Sequence, residues 1–346
     1  MSKWMNSAAR THLALLFVAL FTEEVQAQPV RPIRIDGSST VYPITKTVAE
    51  KFQELMHGSI TVTVAFSGTS GGFKKFCRGE TDINDASRPI LLAEIEACKS
   101  SGVQVIELPV AYDALTVTVN PANNWVKSFT VAQLKKIWEP AAQNKITLWS
   151  QVRSDWPNRP IRLFAPGADS GTFDYFTEAI VGKAKSSRTD FTASEDDNVL
   201  VDGIASARDT LGYFGYGYFV ENRKKLRAVP IDAGKGPVAP SRKSVEDGTY
   251  QPLSRPLFIY VSNKSMDRTD VRQFVAFYLL KAPSFVNQAK YIPLPRRIYN
   301  LAIDRAENRK VGTVFGGKSA IGIRIEELLK READFRQRPF IHLIQP

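Results

Sequence analysis

The chain is poor in the two residue types that most often hold transition metals, with 3 histidines and 2 cysteines among 346 residues. A metal centre therefore has little support, and the acidic run Glu195-Asp196-Asp197 lacks the spacing of a calcium loop. That run reads as a solvated loop before a helix starting at Val199, with Asn198 open to a ligand-side role. No cofactor is expected. No apolar run after residue 27 is long enough to cross a bilayer. A basic helix with interleaved aromatics is also missing, and Lys and Arg are scattered apart from short clusters such as Arg223-Lys224-Lys225. The formal charge of +11 thus points to long-range attraction of anions without a nucleic-acid module.

The beginning of the chain differs in kind. Lys3 and Arg10 precede the apolar run Leu13 to Phe21, and Val25-Gln26-Ala27 supplies small residues where a signal peptidase reads. Residues 1–27 read as a secretory signal cleaved after Ala27, which implies an exported protein. An oxidising compartment allows Cys77 and Cys98 to close a loop, worth about 3 kcal/mol by loop entropy, the alternative being two buried free thiols.

From Arg31 onward β-type and helical segments alternate. Strands are expected at Ile33 to Ile35, Ile60 to Phe66, Val103 to Leu108, Ala114 to Val119, Ile161 to Phe164 and Leu257 to Val261. Between them lie amphipathic helices, among them a Thr-capped one through Leu134-Lys135-Lys136-Ile137-Trp138. Residues 232–256 are rich in Gly, Pro and Ser and read as a loop; Ile321 to Leu329 reads as a helix and Phe340 to Ile344 as a last strand. Such alternation predicts an α/β protein with mostly parallel sheets flanked by helices, whose ligand sits beyond the carboxyl ends of the strands.

Three strand-to-helix turns carry adjacent Ser, Thr and Gly: Asp36-Gly37-Ser38-Ser39-Thr40, Gly68-Thr69-Ser70-Gly71-Gly72 and Asp169-Ser170-Gly171-Thr172. A turn of this composition aims backbone N–H groups and hydroxyls at one spot, at the positive end of a helix. Three of them suggest helix N-termini converging on a shared oxyanion. Arg88, between Ser87 and Pro89, falls at the same sheet edge, either to contact that anion or to pair with Asp85 or Asp82.

Two motifs compete with this reading. Gly68 to Gly72 also fits a nucleophile elbow, but the histidines beyond the signal are His57, read as a helix C-terminal cap, and His342, and neither lies in a loop suited to a base. Gly312-Thr313-Val314-Phe315-Gly316-Gly317-Lys318-Ser319 fits a phosphate loop letter for letter, yet polar residues and not a buried strand precede it. Its glycines read as a turn.

Taken together, Asp36-Gly37-Ser38-Ser39-Thr40-Val41-Tyr42-Pro43, the 68–72 turn, Asp82 to Pro89, Asp169 to Phe173 and the segment Gly212-Tyr213-Phe214-Gly215-Tyr216 resemble the periplasmic phosphate-binding proteins of ABC importers, the PstS family. The resemblance implies a two-lobed, type II periplasmic binding protein fold with two hinge crossings, near residues 111–115 and 256–260. Lobe I would comprise 28–112 and 257–346, and lobe II 113–256. It further implies a monomer that is not an enzyme, binds inorganic phosphate and delivers it to a membrane permease. Carried over by position, the ligand contacts are Ser39, Thr40, Thr69, Ser70, Gly71, Ser87, Arg88, Asp169, Ser170, Gly171 and Thr172. Many members have an acceptor aspartate where this chain has Ser87, and an arginine where it has Pro166. Those departures leave open which carboxylate accepts a phosphate proton, with Asp169 as a candidate. They also leave open another oxyanion, such as sulfate, or a secreted phosphate-ester hydrolase.

Overall fold

The alternating segments assemble into two mixed sheets in the computed structural model of the protein, which describes residues 31–337. The expected signal, the strand at Phe340 to Ile344 and His342 lie outside the described residues. The first sheet orders its strands Val62–Val64, Ile33–Gly37, Ile83–Ala86, Ser254–Ser262 and Val105–Ala114. Its first three strands are parallel, and Ser254–Ser262 runs antiparallel to both neighbours. The second sheet orders Arg227–Ala228, Thr116–Val119, Thr210–Phe214, Arg162–Pro166 and Thr192–Ser194. A small three-stranded sheet from Phe129–Thr130, Ile231–Asp232 and Pro237–Val238 accompanies it.

The chain passes between the two lobes where both long strands meet. Val105–Ala114 is followed after a single residue by Thr116–Val119, and the Leu115 N–H donates to the Leu253 carbonyl at 2.9 Å. Every residue of Val105–Ala114 and of Ser254–Ser262 is buried, the first at the sheet edge but covered by the helices Thr269–Gln288 and Arg296–Glu307.

Helix boundaries follow local chemistry. Thr130 caps Val131–Trp138 with a full capping box, its Oγ1 accepting the Gln133 N–H at 3.1 Å while Gln133 Oε1 accepts the Thr130 N–H at 2.9 Å. That helix buries Trp138, which meets Phe176 and Tyr213 edge-on. Cys77 and Cys98 form a disulfide joining the helices Thr69–Cys77 and Leu92–Ser100.

Some boundaries depart from the expectations. Residues 232–256 are not one loop but contain the strand Pro237–Val238, the helix Arg242–Glu246 and the start of Ser254–Ser262. The helix expected from Ile321 begins at Ile325, because turns occupy the preceding residues. His57 stands one residue beyond the cap residue Met56, in the left-handed region at φ 49°. The turn reading of Gly312 to Ser319 holds, and it has a buried acid at its centre: Glu107 Oε1 accepts the Val314 N–H at 2.9 Å and Glu107 Oε2 the Thr313 hydroxyl at 2.5 Å. A carboxylate in that place opposes a nucleotide phosphate.

Candidate anion-binding site

All three Ser/Thr/Gly turns lie at the carboxyl ends of sheet strands, and the structure brings them together across the two lobes. The first turn follows Ile33–Gly37 and leads into helix Tyr42–Leu55; the second leads into Thr69–Cys77; the third follows Arg162–Pro166 and leads into Gly171–Val181. Ser39, Thr40, Thr69, Ser70, Ser87, Arg88, Ser170 and Thr172 are all buried. Thr40 Oγ1 and Thr172 Oγ1 are 2.9 Å apart across the seam. The Thr69 hydroxyl lies 3.3 Å from that of Ser87 and accepts the Ser87 N–H at 3.2 Å. Ser170 caps its own helix, accepting from Thr172 N at 3.1 Å and Phe173 N at 3.4 Å.

Gly68, at φ +76°, is required by the close approach of the two turns. A β-carbon there would lie 2.4 Å from the Asp169 carbonyl oxygen, the same oxygen that accepts the Ser70 N–H at 2.8 Å.

Arg88 is brought to the seam, but its donors are already engaged. Nε donates to Asp174 at 2.8 Å, Nη2 to the Ser70 hydroxyl at 2.8 Å, and Nη1 and Nη2 grip the Glu94 carboxylate at 2.8 and 2.7 Å. The partners expected from sequence, Asp85 and Asp82, are not its partners; Asp82 instead meets Arg268. Arg88 thus clasps a first-lobe acid to a second-lobe acid. Burial pushes the Asp174 carboxyl up, while Arg88 and Lys185 pull against it. Asp169 lies at the rim, its side chain 40% exposed and paired with Lys74 at 2.8 Å.

The residues that sequence reasoning missed are Arg255, Asp113 and Asp197. Arg255 and Asp113 are fully buried, one on each crossing strand. Arg255 Nε and Nη2 donate to Asp113 Oδ2 at 3.0 and 2.8 Å, and Nη2 also reaches the Thr172 hydroxyl at 2.8 Å. The Tyr216 N–H donates to Asp113 Oδ1 at 2.8 Å, which gives the Gly215-Tyr216 segment its role. Burial pushes Asp113 up, opposed by Arg255 and that N–H. A signal did exist: one acid inside Val110-Ala111-Tyr112-Asp113-Ala114-Leu115, and one arginine just before Pro256-Leu257-Phe258. Lone opposite charges in two strands that must both be buried belong together.

The acidic run is a further correction. Asp196 Oδ1 caps the helix Asp197–Ala205 by accepting the Asn198 N–H at 2.9 Å, which starts the helix two residues before Val199 and turns Asp197 inward to 1% exposure. Asn198 itself is exposed, and its side chain bonds to Asp196.

Comparison with known proteins shows the family. Residues 22–281 match the family model described as PBP superfamily domain. Protein SphX of Synechocystis sp. is 52% identical over 310 residues, covering 89% of this chain and 92% of that protein. The phosphate-binding protein PstS of Staphylococcus haemolyticus is 37% identical over 268 residues, covering 76% of this chain and 81% of that protein. The chain belongs to the PstS-like family of the PBP superfamily. A PstS-like fold is also found in the crystal structure of a possible phosphate binding protein from Planctomyces limnophilus, 46% identical with a TM-score of 0.61, covering 82% of this chain and all of that one. In this PstS-like chain the two sheets form the two lobes of the PBP-superfamily fold, and the three turns lie where the lobes meet.

Proposed function

We propose that this PstS-like chain binds inorganic phosphate between its lobes and delivers it to the membrane permease of an ABC importer. The observation that carries the reading is the meeting of Thr40, Thr172 and Arg255. Two hydroxyls from opposite lobes and a fully buried guanidinium share one point, beside three helix N-termini. Ser39, Thr69, Ser70, Gly71, Ser87, Ser170 and Gly171 complete the lining. Arg255 supplies the cation that the family resemblance places at Pro166, while Arg88 acts as a clasp between the lobes. Asp169 closes the rim through Lys74.

The lobes divide at the crossings near Leu115 and Leu253 and hinge there when ligand enters. The mature protein starts after Ala27, works as a monomer in the periplasm and binds without catalysing: the Ser70 hydroxyl faces Arg88, which cannot act as a base. Titration calorimetry on the chain from residue 28, stripped of bound anion, tests the reading. Saturable one-to-one phosphate binding with little response to sulfate is the expected result. Absence of phosphate binding, or hydrolysis of a phosphate ester by the same sample, would overturn it.

A further inference from the structure

We propose that residues 312–324 form a strap that begins and ends on lobe I, reaches across to lobe II, and governs how fast the bound anion is released, with the hydrogen bond between Ser319 and Glu178 as its catch. The proposal rests on the binding reading above and concerns the opening of that same site. The strap lies beyond residues 22–281, which match the family model. It gives a role to the run Gly312 to Ser319, whose likeness to a phosphate loop the binding function leaves unused.

The strap is tied down residue by residue. The Gly312 N–H donates to the Val105 carbonyl at 2.7 Å, and Glu107 accepts the Thr313 hydroxyl and the Val314 N–H. Phe315 meets Phe258 edge-on, with ring centres 5.6 Å apart. The Gly317 carbonyl accepts the Leu92 N–H at 2.8 Å, so the strap satisfies one of the donors left open at the start of helix Leu92–Ser100. These partners all belong to lobe I. Beyond Gly317 the chain turns to lobe II, where the Ser319 hydroxyl donates to Glu178 and the Gly322 N–H donates to the Tyr175 hydroxyl at 2.9 Å. It then returns. The Ile323 carbonyl accepts the Tyr112 hydroxyl at 2.8 Å on the first crossing strand, and helix Ile325–Gln337 is held to lobe I by Glu332, which accepts from Arg305 at 3.3 Å.

Tyr175 and Glu178 share one face of helix Gly171–Val181, which starts at the third turn of the anion site. Asp174, on the same helix, is the lobe II end of the Arg88 clasp, and the lobe I end, Glu94, stands two residues beyond Leu92. The same two helices are therefore bridged twice, by the buried Arg88 and by the half-buried catch. The two lobe II contacts differ in what holds them. Tyr175 donates to the Ser254 carbonyl at 2.6 Å, and the Arg255 guanidinium lies 5.4 Å from its ring centre, so the Gly322 contact travels with the crossing. Ser319 and Glu178 stand on the two sides that separate, and the bond between them parts when the lobes open.

Both terminal hydroxyls of the run meet carboxylates, Thr313 at Glu107 and Ser319 at Glu178, and Lys318 is exposed. That is the reverse of a phosphate cradle. A contact made in the closed form and lost in the open one slows opening, and a hydrogen bond to a carboxylate is among the stronger ones.

Stopped-flow release of phosphate from the mature chain tests the strap. Ser319→Ala and Glu178→Ala should each release phosphate roughly 3- to 10-fold faster, with association changed less. The double variant should be no faster than the quicker single one, because both remove the same bond. Ser319→Thr keeps the hydroxyl and should release at nearly the unaltered rate. A purely local packing defect would give neither the shared loss nor this rescue. Unchanged release in either single variant, or single effects that multiply in the double variant, would refute the strap while leaving phosphate binding intact. Absence of phosphate binding by the unaltered chain would overturn the strap and the binding reading together. If Glu178→Ala fails to fold, Ser319→Ala and Ser319→Thr decide alone.

Discussion

Gly171 of the second lobe sits so close to Thr69 of the first that a β-carbon on the glycine would lie 2.4 Å from the Thr69 hydroxyl oxygen and 2.7 Å from that of Ser87. The obstacle arises where the lobes meet, since Gly171 on one side faces Thr69 and Ser87 on the other. Overpacking of this kind costs about 1–3 kcal/mol. Gly171→Ala is therefore expected to weaken phosphate binding by roughly 10-fold or more, measured by titration calorimetry. An unchanged affinity would mean that the lobes do not close along this contact.

Arg255 differs from a surface arginine in that it has no water to fall back on. Removing it strands Asp113 in a fully buried place, and breaking such a pair costs about 3–5 kcal/mol. Arg255→Ala should therefore lose both stability and binding. The double variant Arg255→Met with Asp113→Leu separates the two effects: much of the thermal stability should return, whereas phosphate affinity should remain at least roughly 100-fold down, since a charge-assisted contact is gone. Recovery of binding in the double variant would remove Arg255 from the site.

Arg88→Met supplies the contrasting case. The clasp joins Glu94 to Asp174, so its loss should show mainly as reduced stability and faster phosphate release, with an affinity loss smaller than that of the Arg255 variants. Stopped-flow release rates and thermal melts distinguish the roles. A larger affinity loss for Arg88→Met than for the Arg255 double variant would return the anion's cation to Arg88.

What the sequence displays of this site follows from what local pattern can encode. The three turns are contiguous, each a strand end, a run of small residues and a helix start, and all three were legible, as was the Thr130 cap. The Arg255 and Asp113 pair was not read, because it joins residues 142 positions apart and each alone looks like a charge at a strand end. Arg88 was legible as a seam residue but not in its partners, since Asp174 belongs to the other lobe. Asp197 was misread for a different reason. Three acids in a row look solvated, and only the choice of Asp196 as cap decides which of them turns inward. Pattern gives the elements and their turns; pairing across lobes depends on a closure that no local window contains.

Glu195 offers a test of that closure by pH. Its Oε1 accepts the Asp169 N–H at 3.1 Å, and its Oε2 lies 2.7 Å from where a Gly68 β-carbon would stand, so the side chain is wedged between the second and third turns. Burial pushes it from the ordinary 4.5 up to about 7, with Asp169 and Asp174 adding to the shift and Lys185 opposing it. A carboxyl raised in the folded state contributes stability that is complete below its unfolded value and is lost as pH climbs through the folded one. The window is therefore from about pH 4.5 to about pH 7. Glu195→Gln keeps an acceptor for the Asp169 N–H and cannot ionise. Its melting temperature should match that of the unaltered protein near pH 4 and exceed it by ~2 °C near pH 8. A Gln variant that melts lower at both pH values would show that the carboxylate charge, and not its burial, governs the seam.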